Sequence, residues 1–450
     1  MERETRMRNE VVDVSRVEAL AAELVELLGA DAVTDEPEAL DRASIDGSHL
    51  SPVIAEQLPL GRAQLVVFPR TADEIALAVG AAVRHGVPIT PRGKGTANYG
   101  QTLPMAGGLV LDTSKARKVL EVGDGWLKAD AGTPMIAIEQ AANRAGQQVL
   151  QYPSTAQSTI GGFVSGGSGG TGSIAHGMIH TGFVTALDVV HAVPDAQLIH
   201  VEGEATEPYL HKYGTVGVIA TVTMKLEPLQ DWRAFFASFD DYKDLLKVIM
   251  QFPELAVTPR LVSGDLPTLA EALPDDPAIF AGRSSLRAIL EASTIEAATA
   301  LVESVGGRVD DVRDGAQACV KLSMTSYNHP IEWLQKAYPN TYFHVEVWGD
   351  GLIDRIDELH EVYEGGMLHI EAQKGRPIGM LAGVYRGAED VYAGFERISA
   401  LGIGYHNPHQ WFVDYEPAET IEFARTTDPQ GLMNPGKLVE PGSFDTGSQM

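Results

Sequence analysis

Between Val218 and Leu226 an apolar side chain falls at every second position: Val218, Ala220, Val222, Met224 and Leu226 alternate with Ile219, Thr221, Thr223 and Lys225. Successive strand residues point to opposite faces, so this period of two predicts a long half-buried strand. Near the start of the chain the spacing is helical. Val17, Leu20, Ala21, Leu24, Leu27 and Leu28 form an apolar stripe, and Ser15 with Glu18 reads as a capping box, so a surface helix is expected there. Leu65 to Phe68 then reads as a short buried strand, Thr71 with Glu74 caps a helix, Gly86 ends it, and Val87 to Thr90 is the next strand. This is a β-α-β unit. Leu109 to Leu111, Leu127 to Ala129, Ala186 to Val190 and Leu198 to Val201 predict further strands, while Thr133-Pro134 starts a helix to about Arg144 that Gly146 closes.

After Leu229 the pattern changes to repeated strand-helix units. Phe235 to Phe239 precedes a helix around Tyr242 to Met250, Leu286 to Leu290 precedes one from about Thr294 to Val305, and Tyr342 to Val347 precedes one over Leu352 to Tyr363. Such units build an antiparallel sheet backed by helices. The fold class expected is α+β, with a first domain over 1–228, a second over 229–410, and a segment over 411–450 that returns to the first.

With 450 residues and 44% apolar content the chain can bury two medium cores. The single cysteine, Cys319, excludes an intramolecular disulfide and cannot by itself ligate an iron-sulfur cluster, which fits a reducing compartment. The first ten residues are charged, no secretory apolar core follows, and no run of about 18 apolar residues could span a bilayer. A soluble, cytoplasmic protein without a membrane span is expected. The formal charge of −27, from 34 basic and 61 acidic residues, argues against a nucleic-acid partner. Acidity of this kind is commonly no more than a solubility device.

The chemistry is suggested by two glycine-rich stretches. The first, Pro88 to Gly100, contains Arg92, Gly93, Lys94, Gly95, Thr96 and Gly100; the second opens at Ser158-Thr159-Ile160-Gly161-Gly162 after Pro153. Glycine lets backbone N–H groups approach phosphate oxygens, and Thr96, Ser158 and Thr159 add hydroxyl donors, so the two read as a pyrophosphate cradle. Residues 161 to 172 hold seven glycines, more than a phosphate turn needs, so a flexible linker is the alternative for that stretch. A Gly214-Thr215-Val216-Gly217 turn then leads into the strand at Val218.

These segments, from about Leu65 to Leu229, with Asp428-Pro429-Gln430-Gly431-Leu432-Met433-Asn434-Pro435-Gly436-Lys437 near the end, resemble the FAD-linked oxidases of the vanillyl-alcohol oxidase / para-cresol methylhydroxylase (PCMH) type, especially their glycolate and D-lactate dehydrogenase relatives. The resemblance implies a two-part FAD-binding domain of the PCMH type over 1–228 with an α+β cap that covers the flavin and shapes the substrate pocket. It implies that Gly161, Gly162 and Gly166 face the flavin or its pyrophosphate, that Gly177 and Ile179 pass close to the ring system, and that Val218 and Ile219 lie against the adenine end. Asn434 and Lys437 come with the returning tail. Relatives that tether FAD commonly carry a histidine in the first loop, where this chain has Thr96 and Ala97, so non-covalent FAD is expected, with His176 and His180 the nearest candidates for a tether.

Flavin oxidation of an alcohol needs a group to take the hydroxyl proton. Three clusters qualify: Tyr405-His406-Asn407-Pro408-His409, the pair His344 and Glu346 on one strand face, and Tyr327-Asn328-His329-Pro330. His406 and His409 lead, with His344 and Glu346 next. A lone histidine is more often a hydrogen-bonded structural residue. His344, Glu346, His406 and His409 include metal-ligand types, and some relatives use a metal, but only Gly349-Asp350-Gly351 echoes their motif, so no metal is assigned. The expected function is FAD-dependent oxidation of a small hydroxylated substrate (alcohol, sugar or 2-hydroxy acid), electrons passing to oxygen or another acceptor, in a possible homo-oligomer. A flavin-carrying electron-transfer subunit of a multi-protein dehydrogenase is the alternative, and the reductase of UDP-N-acetylenolpyruvoylglucosamine shares the fold.

Overall fold

The computed structural model describes residues 12–440 apart from 56, 59 and 60. The fold is α+β and is organised around three sheets. The first joins β1 (Val33–Thr34), β2 (Leu65–Val67), β3 (Ile89–Arg92) and β4 (Leu109–Asp112) in the order β1-β2-β4-β3, with β2, β4 and β3 parallel and β1 antiparallel at the edge. Helix Ala72–His85 makes the crossover from β2 to β3. Thr71 caps it by accepting a hydrogen bond from the Glu74 N–H, and Gly86 ends it in the left-handed conformation that glycine adopts without steric cost. Helix Val14–Leu28 shares its core through Leu20 and Leu24, which pack with Ile75, Val79 and Leu111.

Three local expectations give way here. The cap of the first helix is Asp13, whose carboxylate accepts from the Ser15 N–H and hydroxyl, so Ser15 lies inside the helix. Leu27 turns outward, because Val17, Leu20, Leu24 and Leu28 already fill the buried face. Pro134 is extended at the cap position, and its helix runs Met135–Arg144.

The second sheet contains β5 (Val119–Gly123), β6 (Trp126–Asp130), β7 (Gln147–Val149), β8 (Val184–Val190), β9 (Leu198–Glu202) and β10 (Val218–Pro228). The long β10 is central: β6 and β8 flank it, and β7 pairs with its far end. Val218 and Ala220 pack into the core of the first sheet while Val222, Met224 and Leu226 pack into that of the second, so β10 ties the two together.

The third sheet is antiparallel throughout and comprises β11 (Trp232–Phe239), β12 (Leu261–Asp265), β13 (Ser284–Glu291), β14 (Arg308–Asp314), β15 (Tyr342–Trp348), β16 (Met367–Ala372), β17 (Pro377–Val384) and β18 (Gly404–His406) in the order β14-β11-β13-β12-β16-β17-β15-β18. Helices Tyr242–Ile249, Ile295–Ser304 and Ala388–Ala400 share a core with one face of it. The stretch expected as one helix over Leu352 to Tyr363 is two short helices, Gly351–Asp354 and Ile356–His360, because Arg355 leaves helical dihedrals (φ −124°, ψ 30°).

Two contacts fix this sheet and the tail against the rest. Arg260, just before β12, reaches the first half of the chain, donating to Glu139 Oε1 at 2.8 Å and to the Val149 carbonyl at 2.8 Å, with both charged side chains buried. After helix Pro417–Thr427 the tail runs alongside β3: the Ile89 N–H donates to Leu432 O at 2.7 Å and the Asn434 N–H to Ile89 O at 2.7 Å.

Candidate active site

The turn from β3 and the start of helix Ile160–Gly166 meet to form one wall of a cavity of about 540 Å³, and the opposite wall comes from the third sheet and the tail. That size is ordinary for a cofactor or substrate site. Arg92, Gly93, Lys94, Gly95, Thr96, Pro153, Ser158, Thr159, Gly161, Gly162, Gly166, Val218 and Ile219 all line it. The two glycine segments interlock. The Thr96 and Ser158 hydroxyls share a hydrogen bond of 2.8 Å, and a Cβ at Gly93 would collide with the Thr159 hydroxyl. A Cβ at Gly161 would fall 2.7 Å from that of Ala131, so the backbone can lie this close only without a side chain. Gly95, at φ +65°, lies beneath the Arg92 guanidinium, which is pinned by donating to Ala43 O at 3.1 Å and Ile45 O at 2.7 Å.

The second glycine stretch is not a flexible linker. Residues 160 to 166 are helical, with the Thr159 hydroxyl accepting from the Gly162 N–H at 3.2 Å. Gly166 has nothing within 4 Å of the place where a Cβ would stand. A cavity wall made of backbone and hydroxyl donors, open at Gly166, suits a phosphate-bearing cofactor such as FAD.

Five residues expected to meet the cofactor lie outside the cavity. Gly100, at φ +89°, packs against Leu58 and Trp411. Gly177 ends helix Ser173–His176 beside Thr181, and Ile179 is fully buried in the core of the second sheet; the partly exposed Met178 between them reaches the cavity instead. Asn434 is a brace, its Nδ2 donating to Gln101 O at 3.0 Å and Tyr213 O at 2.7 Å. Lys437 is buried, donates to Leu103 O at 3.2 Å, and is pushed down to about 7 by desolvation.

The four titratable candidates divide into two groups. Glu346 and His406 both line the cavity, because β15 pairs with β18 in a register that sets them opposite each other. His406 Nδ1 lies 2.9 Å from Glu346 Oε2 and its Nε2 lies 2.7 Å from Asp414 Oδ2. Burial opposes the charged ring, but hydrogen bonds to Asp414 and Glu346 outweigh it and push His406 up to about 10. At neutral pH it is therefore an imidazolium donating from both nitrogens, with no lone pair left to accept a proton. His344 and His409 do not line the cavity; they lie behind Tyr99. His344 Nε2 shares a 2.9 Å hydrogen bond with the Tyr99 hydroxyl, and His409 bridges Ser51 Oγ at 2.8 Å and the His344 carbonyl at 2.7 Å. Burial pushes them down to about 3 and about 4, so both are neutral braces.

Of the third cluster, Tyr327, Asn328 and His329 line the cavity. Tyr327 has φ +52°, donates its hydroxyl to Gly170 O at 2.7 Å, and so ties the third sheet to the second glycine stretch. Among the described residues, no three His, Cys, Asp or Glu side chains gather to hold a metal, and no helix is long and apolar enough to cross a membrane.

Sequence reasoning missed His211, Tyr213 and Asp414, all of which line the cavity. His211 and Tyr213 have φ +58° and +49°, a conformation costing bulky residues on the order of 1–3 kcal/mol each. Their N–H groups donate to Val164 O and Ser165 O, and the buried Lys212 between them donates to Tyr415 O at 3.0 Å and Glu416 at 3.3 Å. The available signal was their place directly before the Gly214 turn into β10.

The FAD binding domain family matches residues 63–202. An uncharacterized FAD-linked oxidoreductase of Mycobacterium tuberculosis is 25% identical over 268 residues, covering 57% of this chain and 52% of the relative. Glycolate oxidase subunit GlcD of Bacillus subtilis is 32% identical over 175 residues, covering 36% of this chain and 37% of that protein. This chain therefore spans about half or less of the length of these relatives. Among solved structures, an alkyldihydroxyacetonephosphate synthase superimposes with a TM-score of 0.72 at 15% identity, covering 93% of this chain and 84% of the other, which establishes a shared fold.

Proposed function

Because the chain carries an FAD-binding domain, we propose that it is an FAD-dependent oxidoreductase that oxidises the CH–OH group of a small hydroxylated substrate in the cavity beneath the third sheet. One observation carries this reading: a single cavity has a glycine and hydroxyl wall on one side and a titratable wall of Glu346, His406 and Asp414 on the other. In this reading residues 1–228 bind the cofactor, 229–410 form the substrate cap, and 411–450 return to complete the site. Arg92, Gly93, Lys94, Gly95, Thr96, Pro153, Ser158, Thr159, Gly161, Gly162, Gly166, Val218 and Ile219 hold FAD without a covalent bond. The bound flavin supplies a two-electron acceptor for the substrate C–H. His406, held cationic between Glu346 and Asp414, sets a fixed positive charge in the cavity wall that favours negative charge developing on the substrate oxygen. Electrons then leave to oxygen or another acceptor.

The relation to a protein named a glycolate oxidase subunit favours one second reading, a subunit that passes its electrons to a partner. Both are tested by one experiment. Acid-precipitated protein should release intact FAD into the supernatant, and the holoprotein should be bleached anaerobically by a member of a panel of hydroxy acids, polyols and aryl alcohols. Reoxidation by air in the isolated chain distinguishes an oxidase; bleaching without reoxidation points to a partner. Recovery of FMN, or colour that stays with the precipitate, would overturn the cofactor assignment.

A further inference from the structure

We propose that Tyr213 and His211, on the strained turn that enters β10, are the proton-accepting pair of this site, and that Asp414 stabilises the proton once it has arrived. The proposal rests on the oxidation reading above and adds the group which that reading lacks. His406 cannot serve, since both of its ring nitrogens already donate to carboxylates. His344 and His409 do not line the cavity, and His329 Nε2 is engaged by the Thr155 hydroxyl at 3.0 Å.

The geometry at the turn is different. His211 and Tyr213 both face the cavity, and His211 Nε2 lies 3.3 Å from the Tyr213 hydroxyl. The His211 ring occupies the space that a Cβ at Gly167 would need, so a glycine is required opposite it. Asp414 Oδ2 is taken by His406, while its buried Oδ1 has no hydrogen-bond partner and stands 3.9 Å from His211 Nε2. That is the place for an acceptor needed only when the ring is charged.

The groups facing His211 are Asp414, His180, Lys212, His406, Tyr213 and the Tyr415 ring stacked 5.4 Å away. Burial first, then the neighbouring His180, Lys212 and His406, outweigh Asp414 and push His211 down to about 4, so its ring is neutral at pH 7. Burial likewise keeps the Tyr213 hydroxyl protonated. In the step inferred, the substrate O–H bond breaks and its proton goes to Tyr213 Oη, while the Tyr213 proton moves to His211 Nε2. A flavin bound in the cavity would supply the acceptor for the hydrogen that leaves the substrate carbon with its electron pair, and a carbonyl would remain. The substrate has lost one proton and one hydride, His211 has gained one proton, and Asp414 turns to meet it.

The test uses the holoprotein and the variants His211→Asn and Tyr213→Phe. Asparagine tolerates positive φ better than most residues, so the first keeps the turn. Imidazole ¹⁵N shifts should show His211 neutral at pH 7, and both variants should hold a full complement of FAD. Anaerobic flavin reduction by glycolate, D-lactate, glycerol or benzyl alcohol, whichever reduces the wild type, should slow about 10²–10⁴-fold in each variant. A cationic His211 at pH 7, or reduction at the wild-type rate in both variants, overturns the proposal alone. A wild-type flavin that none of these compounds reduces overturns the oxidation reading, and the proposal with it.

Discussion

His406 is the residue whose neighbours most change its chemistry. Standing alone in the sequence it is a proton acceptor; between Glu346 and Asp414 it is a fixed cation. Its pKa rises from 6.5 to about 10 on folding, so the stability it contributes is fully present below pH 6.5 and is lost as pH rises through about 10. The difference in urea midpoint between wild type and His406→Asn should therefore be largest near pH 6 and narrow steadily toward pH 10. A difference independent of pH would mean that the ring is neutral in the folded protein. His409 illustrates the reverse case. It belongs to the same short sequence cluster, yet three residues further on the chain has turned inward, and burial leaves it neutral between Ser51 and the His344 carbonyl.

At the scale of elements, the third sheet is held to the first half of the chain by a contact with no sequence signature. Arg260 and Glu139 are separated by 121 residues, and both are almost wholly buried. Tyr152 and Trp232 flank the guanidinium at 4.9 and 5.8 Å. Removing one charge strands the other, so Glu139→Gln or Arg260→Met should each cost about 3–5 kcal/mol by chemical denaturation. The double variant should cost clearly less than the sum, because no uncompensated charge remains; strict additivity would show that the two do not interact. The pair also sits near the cavity wall in sequence, since helix Met135–Arg144, which carries Glu139, begins at the Ser158 carbonyl through the Met135 N–H.

For the whole molecule the governing quantity is charge. With 61 acidic and 34 basic residues the folded chain repels itself, and bringing these charges together raises the free energy of the compact state. Many of the ion pairs join exposed side chains, such as Arg42 with Glu38 and Arg386 with Glu364, and pairs of that kind add little. Screening should win, so raising NaCl from about 0.05 to about 0.5 M is expected to lift Tm by roughly 1 °C, equivalent to about 1 kcal/mol in a chain of this length. A fall in Tm with salt would mean that attractive pairs dominate.

Local patterns were decisive wherever neighbours along the chain settle the physics. The period-two run into β10, the capped helix Ala72–His85 with its Gly86 terminus, and the glycine segments at Gly93 and Gly161 are all legible because strand alternation, capping and close backbone approach depend on adjacent residues. The sequence of Gly161 to Gly166 left its conformation open. The seven glycines of residues 161 to 172 left a flexible linker as the alternative to a phosphate turn, and the Thr159 cap with the packing against Ala131 makes residues 160 to 166 helical. The sequence named His406 and Glu346, which reach the cavity, beside His409 and His344, which do not, and it could not tell the two pairs apart. His406, His409 and His344 differ little in local context, and their separation into a cation and two buried braces follows from the β15–β18 register and from the tail that brings Asp414 to His406. His211 and Tyr213 enter the cavity only because tertiary hydrogen bonds to the carbonyls of Val164, Ser165 and Tyr415 hold an unfavourable backbone, and a constraint supplied by distant partners leaves no periodicity to read.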